Sequence, residues 1–391
     1  MGIHPLNGKK EIENAYLDYL RTSFYINDKI LMKYFEKSLV GKDRFSQGPY
    51  LEVTAPYKKS KSIRQLIEEG ELSSKFLEIN QEALPANREL YSHQVKAVKL
   101  ANNNKNFIVA TGTGSGKTES FMLPILNHLL KEHEEGTLTP GVRALFLYPM
   151  NALANDQMKR LRRILENTPE ITFGRYTGET ETKRREAEEE FKQVNKDEKL
   201  LPNEILSREE MRDNPPHILV TNYAMLEYLL LRPDDTPFFD GDYSNQWQYI
   251  VLDEAHTYNG AKGIEIGMLI RRLKDRVLKS RPYKGTIQCI ATSATLGSGK
   301  DAKRKVIDFA QNIFDEKFDY INENNCAIIE AERIDYRDYH EQLYEPDWDV
   351  YPVLYTLLEK HRVSIGDVNM LRNYGIDINN FDEMETEPNR F

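Results

Sequence analysis

The sequence predicts an α/β fold in which a parallel sheet flanked by helices occupies residues 85–320. A helical N-terminal accessory region, residues 1–84, precedes the sheet, and residues 321–391 form a C-terminal extension. Short apolar runs such as 107–109 and 249–252 alternate with segments at helical spacing, which is the order typical of parallel α/β sheets. Each run ends in a polar motif, and the carboxyl ends of parallel strands form the edge at which ligands bind.

The composition limits the classes of function. With 391 residues, the chain is long enough for two or more domains. Its net charge of −9 and pI of about 5.6 argue against a protein that coats nucleic acid through bulk charge, but they leave room for a local binding groove. The two cysteines, Cys289 and Cys326, are too few for a metal cluster, and no apolar run is long enough to cross a bilayer. We therefore expect a cytoplasmic protein with no membrane partner.

Helical spacing marks the start of the chain. Ile12, Tyr16, Tyr19 and Leu20 recur at the intervals of one helix face, and a second set follows at residues 30–35. The pattern predicts helices whose apolar stripes face a core. No motif in this region specifies a chemistry.

A glycine-rich turn at residues 110–118, Ala-Thr-Gly-Thr-Gly-Ser-Gly-Lys-Thr, joins a predicted buried strand to a predicted helix. A phosphate-binding loop requires this context, since glycines let backbone N–H groups converge on phosphates at a helix N-terminus; the alternative is a glycine-rich surface turn. Lys117 is placed to reach the β- and γ-phosphates of ATP, and Thr118 to offer its hydroxyl to Mg²⁺. Thr111 stands where the strict motif has glycine. The predicted cofactor-binding residues of the turn are Thr113, Gly114, Ser115, Gly116, Lys117 and Thr118.

Two other stretches are predicted to be solvent-exposed loops or helices without a binding role. A second Gly-Ser-Gly-Lys at residues 297–300 is followed by Asp301, whose carboxylate repels phosphate, so we interpret it as an exposed loop. Residues 179–214 mix both charge signs at close spacing, which is typical of a solvated helix or loop.

Paired acids follow the apolar run at residues 249–252. Asp253 and Glu254 come at the carboxyl end of this predicted strand, where side chains face the ligand crevice. We predict that Asp253 holds Mg²⁺ and that Glu254 orients the attacking water, with His256 as a further catalytic candidate. Two acids capping the start of a helix would give the same pattern, but the glycine-rich turn upstream favours the catalytic interpretation.

Gln94 lies in an amphipathic segment just before the glycine-rich turn. Its side chain carries the donor and acceptor needed for the N6/N7 edge of adenine, so it is a candidate adenine contact; the alternative is an ordinary surface helix residue. After the next predicted strand, residues 148–157 begin a helix with polar side chains, and a helix N-terminus suits a nucleic-acid phosphate.

The order of these motifs resembles that of superfamily 2 DEAD/DEAH-box helicases over residues 85–300. The matching motifs are Gln94, 112–118, 148–157, 177–178, 221–223, 253–256 and 293–295. The resemblance implies the RecA-like fold of P-loop NTPases, ATP and Mg²⁺ as cofactors, and single-stranded DNA as a partner. It assigns nucleic-acid contacts to Asn151, Gln157, Thr177, Gly178, Thr221 and Asn222, and coupling between the two sites to Ser293 and Thr295.

Residues 90–94, 148–157 and 253–258 are most similar to the YprA/MrfA-like DNA helicases and to related anti-phage defence helicases. This resemblance implies an ATP-dependent DNA helicase or translocase that acts in DNA repair or in anti-phage defence. The chain departs from RNA-directed DEAD-box enzymes in its 148–157 motif and in His256, where those enzymes carry an aspartate.

Motors of this family need two RecA-like lobes, and the second lobe supplies an arginine that stabilises charge on the γ-phosphate. No second lobe is recognisable after Leu296, so we expect one to be supplied in cis or in trans, with weak activity of this chain alone. The chain would then be a cloned fragment, the product of a truncated gene or one part of a split protein. Two other functions fit the same residues: a non-catalytic nucleotide-dependent recruitment or regulatory module, and an RNA helicase lobe.

Overall fold

The computed structural model describes residues 5–39, 55–112, 114–196, 198–281, 285–294, 301–322 and 325–334. The chain divides into two compact units, Met1–Ala55 and Pro56–Phe391. Along the part described, no helix is long and apolar enough to span a membrane.

The described part of the N-terminal unit contains the helices α1 (Pro5–Ser23) and α2 (Lys29–Leu39). The Asp28 carboxylate accepts hydrogen bonds from the N–H groups of Leu31 (3.0 Å) and Ile30 (2.8 Å), which caps α2 and lowers the pKa of Asp28. The helical prediction is confirmed. The predicted core-facing stripe is wrong for the described residues, because Ile12 and Tyr19 are 74% and 60% exposed.

The second unit alternates strands and helices. Its strands are β1 (Lys59–Ser62), β2 (Glu89–Tyr91), β3 (Phe107–Ala110), β4 (Ala144–Tyr148), β5 (Phe173–Tyr176), β6 (Glu204–Ile205), β7 (Ile218–Asn222), β8 (Tyr249–Leu252), β9 (Gln288–Ser293), β10 (Tyr320–Asn322), β11 (Asn325–Cys326) and β12 (Ile328–Glu330). Its helices are α3 (Ile63–Glu68), α4 (Ser92–Asn102), α5 (Lys117–Glu134), α6 (Asn151–Leu165), α7 (Arg184–Val194), α8 (Arg208–Asp213), α9 (Tyr223–Leu231), α10 (Gly260–Ser280) and α11 (Ala302–Phe314). Short 3₁₀ turns lie at Ser74–Leu77, Pro233–Phe238, Gly241–Gln246 and Ala255–Thr257.

Among the described residues, eight strands form one parallel sheet in the order β12-β3-β9-β8-β4-β7-β5-β6, which confirms the predicted fold class. The strands β3, β4 and β8 are buried along their whole length because helices cover both faces, and they therefore read as continuous apolar runs. Their carboxyl ends lie at one edge of the sheet, so the polar motifs that follow them meet there.

Alternation along each strand divides the core into two layers. In β3, Phe107 and Val109 belong to the layer that contains Phe121 of α5, whereas Ile108 belongs to the layer that contains Ile270 of α10. Burying one side chain of this size contributes about 1.5–3 kcal/mol. Both layers therefore hold the strand ends, and the motifs attached to them, in fixed positions.

The compact unit that holds the sheet begins before residue 85, and its sheet continues past residue 320. Ile63 and Phe76 are buried in the same hydrophobic cluster as α5, so residues 56–84 belong to the sheet-containing unit. The strand β12 pairs in parallel with β3, so the sheet continues beyond residue 320. Residues 335–391, most of the predicted extension, lie outside the described part.

The charged stretch 179–214 contains α7, β6 and α8. Glu204 of β6 is buried against Arg162 of α6, which donates hydrogen bonds to both carboxylate oxygens (2.7 and 2.9 Å). Burial raises the pKa of Glu204, and the Arg162 guanidinium opposes that rise. The prediction of a solvated segment is therefore wrong for β6, whereas it fits α7, in which Arg185 is exposed. The second Gly-Ser-Gly-Lys, residues 297–300, lies outside the described part.

Candidate functional site

The glycine-rich turn joins β3 to α5 at the carboxyl edge of the sheet. Gly114 and Gly116 have φ values of +74° and +73°, in the left-handed region that favours glycine. A Cβ at Gly116 would lie 2.4 Å from both Gln94 Nε2 and Glu119 Oε2. Backbone conformation and space therefore both require glycine at this position. Thr113 lies outside the described residues.

Gly116→Ala is expected to lower the free energy of unfolding by about 2–3 kcal/mol. The left-handed backbone accounts for about 1–2 kcal/mol, and the hydrogen bonds lost when Gln94 and Glu119 move aside account for about 1 kcal/mol. Gly136→Ala is the matched control, because Gly136 has a φ of +68° but nothing within 4 Å of a Cβ. Urea denaturation of the three proteins measures the difference. Equal losses in the two variants would contradict the steric argument.

Thr111, the departure from the strict motif, forms a hydrogen bond within the loop. Ser115 Oγ donates to Gly112 O (2.8 Å), so Thr111 Oγ1 is the donor to Ser115 Oγ (2.6 Å). His93 Nε2 of α4 donates to Ser115 O (2.8 Å), and burial lowers the pKa of His93, which favours the neutral ring. Hydroxyl groups inside the loop and a ring from α4 thus fix its shape.

Gln94 supports the same loop from α4. Its Nε2 donates to Gly116 O (3.1 Å) and Glu119 Oε2 (2.8 Å), and its Oε1 accepts from Tyr91 N–H (2.9 Å). The side chain is buried, with 1% exposure. Its predicted role in adenine recognition stays a prediction, and an adenine contact would require the amide to leave the loop.

Lys117 and Glu254 form an ion pair at the start of α5. Lys117 Nζ lies 3.1 Å from Glu254 Oε1, and the two side chains are 11% and 24% exposed. The other Glu254 oxygen lies 3.3 Å from His256 Nδ1. Glu254 has a φ of +48°, a strained conformation for a residue other than glycine, and such strain is concentrated at functional sites. Three of the predicted catalytic residues are therefore brought together.

A residue that the sequence prediction leaves out orients Asp253. Thr292 Oγ1 donates to Asp253 Oδ1 and accepts from the Glu254 N–H (3.1 Å). Burial raises the pKa of Asp253, whereas the hydrogen bond from Thr292 and the charge of Lys117 lower it. The Thr292 hydroxyl therefore favours the ionised carboxylate, which is the form that binds a cation.

Of the two predicted coupling residues, Ser293 lies in the described part and Thr295 does not. Ser293 Oγ lies 3.5 Å from His256 Nδ1, and Thr295 lies outside the described residues. Motif resemblance begins at Ser293 and so misses Thr292. The register of the folded sheet reveals it, because Ala291 of β9 lies opposite Leu252 of β8, which makes Thr292 level with Asp253.

Gln157 of α6 lies beside the loop helix. Its Nε2 donates to Thr118 Oγ1 (3.4 Å), and its Oε1 is buried with no hydrogen-bond partner among the described residues. The Tyr148 hydroxyl is also buried with no hydrogen-bond partner among the described residues. Burial raises the pKa of Tyr148, and the negative charge of Asp253 raises it further. Unpaired buried polar atoms require an explanation, and a hydrated ligand near Thr118 and Asp253 would supply one. The predicted nucleic-acid role of Gln157 stays a prediction.

Hydrogen bonds join the loops that follow β4, β5 and β7. Asn222 Nδ2 donates to Asn151 Oδ1 (2.7 Å), and Asn151 Nδ2 donates to Glu179 Oε1 (2.9 Å). Arg175 Nη1 donates to the other Glu179 oxygen (2.8 Å). Two of the predicted nucleic-acid residues, Asn151 and Asn222, are thus in direct contact at the carboxyl edge.

Thr177 and Thr221 are fully buried, so their side chains are not available to a ligand. The Thr221 hydroxyl donates to Tyr176 O (2.6 Å) and connects β7 to β5. Gly178 is exposed. If this loop binds nucleic acid as predicted, the contact is made through the backbone around Gly178.

Comparison with known proteins places these motifs in a family. A family model described as DEAD/DEAH box helicase matches residues 91–303. Druantia protein DruE of Escherichia coli (strain UMEA 4076-1) is 30% identical over 399 residues, which cover 80% of this chain and 21% of DruE. The ATP-dependent helicase YprA of Bacillus subtilis (strain 168) is 30% identical over 229 residues, which cover 58% of this chain and 26% of YprA.

A solved structure of the DUF1998 helicase MrfA bound to DNA is also similar. It is 22% identical, with a TM-score of 0.49, and the match covers 72% of this chain and 29% of that chain. The chain therefore spans well under half of the length of the relatives that it matches.

Proposed function

The chain belongs to the DEAD/DEAH box helicase family, and from this premise we propose that residues 56–334 form the ATP-binding lobe of an ATP-dependent DNA helicase or translocase. One arrangement carries the proposal. Lys117, at the start of α5, is paired with Glu254, which directly follows Asp253 at the end of β8. A loop that can bind phosphate and a pair of acids that can act on metal and water therefore share one edge of the sheet.

Lys117 has two alternative partners in this proposal. Without nucleotide its counter-charge is Glu254, at 3.1 Å. A triphosphate offers several oxygens with a larger negative charge, so Nζ would move to the β- and γ-phosphates while the N-terminus of α5 donates backbone hydrogen bonds. Glu254 is then released to accept a hydrogen bond from the attacking water and to orient it towards the γ-phosphate.

The oxygen donors at the edge fit Mg²⁺. Thr118 supplies a hydroxyl, Asp253 supplies a carboxylate that Thr292 favours in its ionised form, and Mg²⁺ prefers such ligands together with water and phosphate. Over the described ranges, no three His, Cys, Asp or Glu side chains form a metal cluster, which agrees with a site completed by nucleotide and water. When bound, Mg²⁺ neutralises charge on the β- and γ-phosphates.

Asn151, Gly178 and Asn222 would contact the backbone of single-stranded DNA at the same edge. A second RecA-like lobe, in cis or in trans, would close over the nucleotide and the strand. We propose DNA repair or anti-phage defence as the process and the cytoplasm as the location; the low cysteine content supports a reducing compartment.

Calorimetric titration with ATP, with and without Mg²⁺, tests the proposal. We expect binding that Mg²⁺ strengthens, and we expect Thr292→Val to weaken the affinity for Mg²⁺ of the ATP-bound chain about tenfold, the value of one hydrogen bond to a charged group. Thr292→Ser keeps the hydroxyl and should restore the affinity. Absence of ATP binding in the unaltered chain would reject the proposed function, whereas identical Mg²⁺ affinities of the three proteins would reject the role of Thr292.

A further inference from the structure

Arg208 lies at the start of α8 and contacts the loop that carries Gly178. Its Nη2 donates to Thr177 O and Gly178 O (3.2 Å each), and its guanidinium carbon lies 5.5 Å from the centroid of the Tyr176 ring. These contacts hold the guanidinium in one place at the carboxyl edge of the sheet. The residue belongs to the charged stretch in which the sequence shows no motif.

Unlike the neighbouring arginines Arg184 and Arg212, Arg208 has no ion-pair partner among the described residues. Arg184 is paired with Glu210 (2.5 Å), and Arg212 with Asp235 (2.7 Å). Among the described residues, Arg208 has no carboxylate within ion-pair distance; its Nη2 bonds only to backbone carbonyls, and its Nε is buried without a hydrogen-bond partner. A fixed cation without an ion-pair partner in the described part therefore remains beside the loop.

The neighbouring backbone offers a second donor. Gly178 is exposed, and a Cβ built on it would meet nothing within 4 Å, so the space in front of it is open. Within the described part, its N–H donates no hydrogen bond. The acid that follows Gly178 in the sequence, Glu179, is paired with Arg175 and accepts a hydrogen bond from Asn151, so its charge is compensated. An anion can therefore approach Gly178 and Arg208 together.

We propose that Arg208 binds a backbone phosphate of the single strand next to Gly178. The inference rests on the proposed function, because the strand is the one that the Asn151–Asn222 pair would contact. Arginine side chains and backbone N–H groups are the usual partners of nucleic-acid phosphates, and they read no sequence. The loops after β5 and β7 follow adjacent strands, about 4.8 Å apart, so one nucleic-acid strand can reach both.

Salt-dependent binding of labelled oligo-dT, followed by fluorescence anisotropy, tests the proposal on the 391-residue chain. We expect Arg208→Gln to weaken binding at low salt about tenfold and to make the slope of log K against log salt less steep by about 0.7, the value for one lost phosphate contact on a single strand. Arg208→Lys keeps the charge and should retain the slope. A mixed-sequence oligonucleotide and oligo-U should show the same changes, since the contact is to phosphate.

Arg185→Gln is the matched control, because Arg185 lies in the same stretch, is 91% exposed and is paired with Glu189 (3.2 Å). It should bind like the unaltered chain. A loss of affinity in Arg208→Gln with an unchanged slope would assign Arg208 a structural role and overturn the proposal. An effect with oligo-U and none with oligo-dT would assign the contact to RNA and overturn its DNA form.

The binding experiment can reject the proposed function and the role of Arg208 separately. If the unaltered chain binds no oligonucleotide at any salt concentration, the nucleic-acid part of the proposed function fails and this inference fails with it. If the unaltered chain binds with a clear salt dependence and Arg208→Gln matches it, only the role of Arg208 is rejected.

Discussion

Lys117→Ala is expected to abolish measurable ATP binding. The ammonium group is the main cation of the loop, and a charge-assisted hydrogen bond contributes about 1.5–3 kcal/mol. Its removal also leaves Glu254 without the partner that it has at 3.1 Å, so an unpaired carboxylate would face the incoming phosphates. Together the two effects should weaken affinity at least about 100-fold, since 1.4 kcal/mol corresponds to a factor of 10. Calorimetric titration with ATP and Mg²⁺ measures the loss.

Two variants separate this effect from a general change of charge. Glu254→Gln removes the carboxylate that competes with phosphate for Lys117, so it should bind ATP as well as the unaltered chain or a few-fold more tightly. Lys131→Ala, near the other end of α5, removes the same charge away from the loop and should bind normally. Unchanged affinity in Lys117→Ala would reject the assignment of the phosphate site. A large loss in Glu254→Gln would show that Glu254 acts in binding and not on water.

The resemblance to superfamily 2 helicases and the RecA-like fold class are confirmed. The packing of a parallel sheet explains why the sequence could predict them. Strands of a parallel sheet are covered on both faces, so β4 and β8 appear in the sequence as apolar runs. Motifs at strand ends must then lie at one edge, which is why Lys117 and Glu254, distant in sequence, could be expected in contact.

Side-chain partners across the edge could not be predicted in the same way. Thr292 acts on Asp253 through the register of two strands, and register is not encoded in either strand alone. Arg208 lies in a stretch whose mixed charges hide which cations are paired, and only the fold separates it from the paired arginines.

Turnover of ATP by this chain alone is expected to be about 10³- to 10⁵-fold slower than the 1–10³ s⁻¹ typical of enzymes, because an arginine finger contributes about that factor in phosphoryl transfer. Within the described residues, the hydrogen bonds and ion pairs of Lys117, Asp253 and Glu254 involve no arginine. If the arginine comes from a second lobe, as proposed, this chain alone binds nucleotide and orients water without stabilising the charge that develops on the γ-phosphate. Single-stranded DNA should stimulate turnover little, since coupling needs both lobes on one strand.

Steady-state ATPase of the purified chain, with and without single-stranded DNA, measures this expectation, and Glu254→Gln supplies the background rate. Rapid, DNA-stimulated turnover that Glu254→Gln eliminates would contradict it and would mean that a finger is present. The finger would then come from residues 335–391 or from a second copy of the chain. Gel filtration at the assay concentration separates these sources, because a finger supplied in trans requires a dimer. The rate per chain would then rise with concentration, whereas a finger supplied in cis leaves that rate constant.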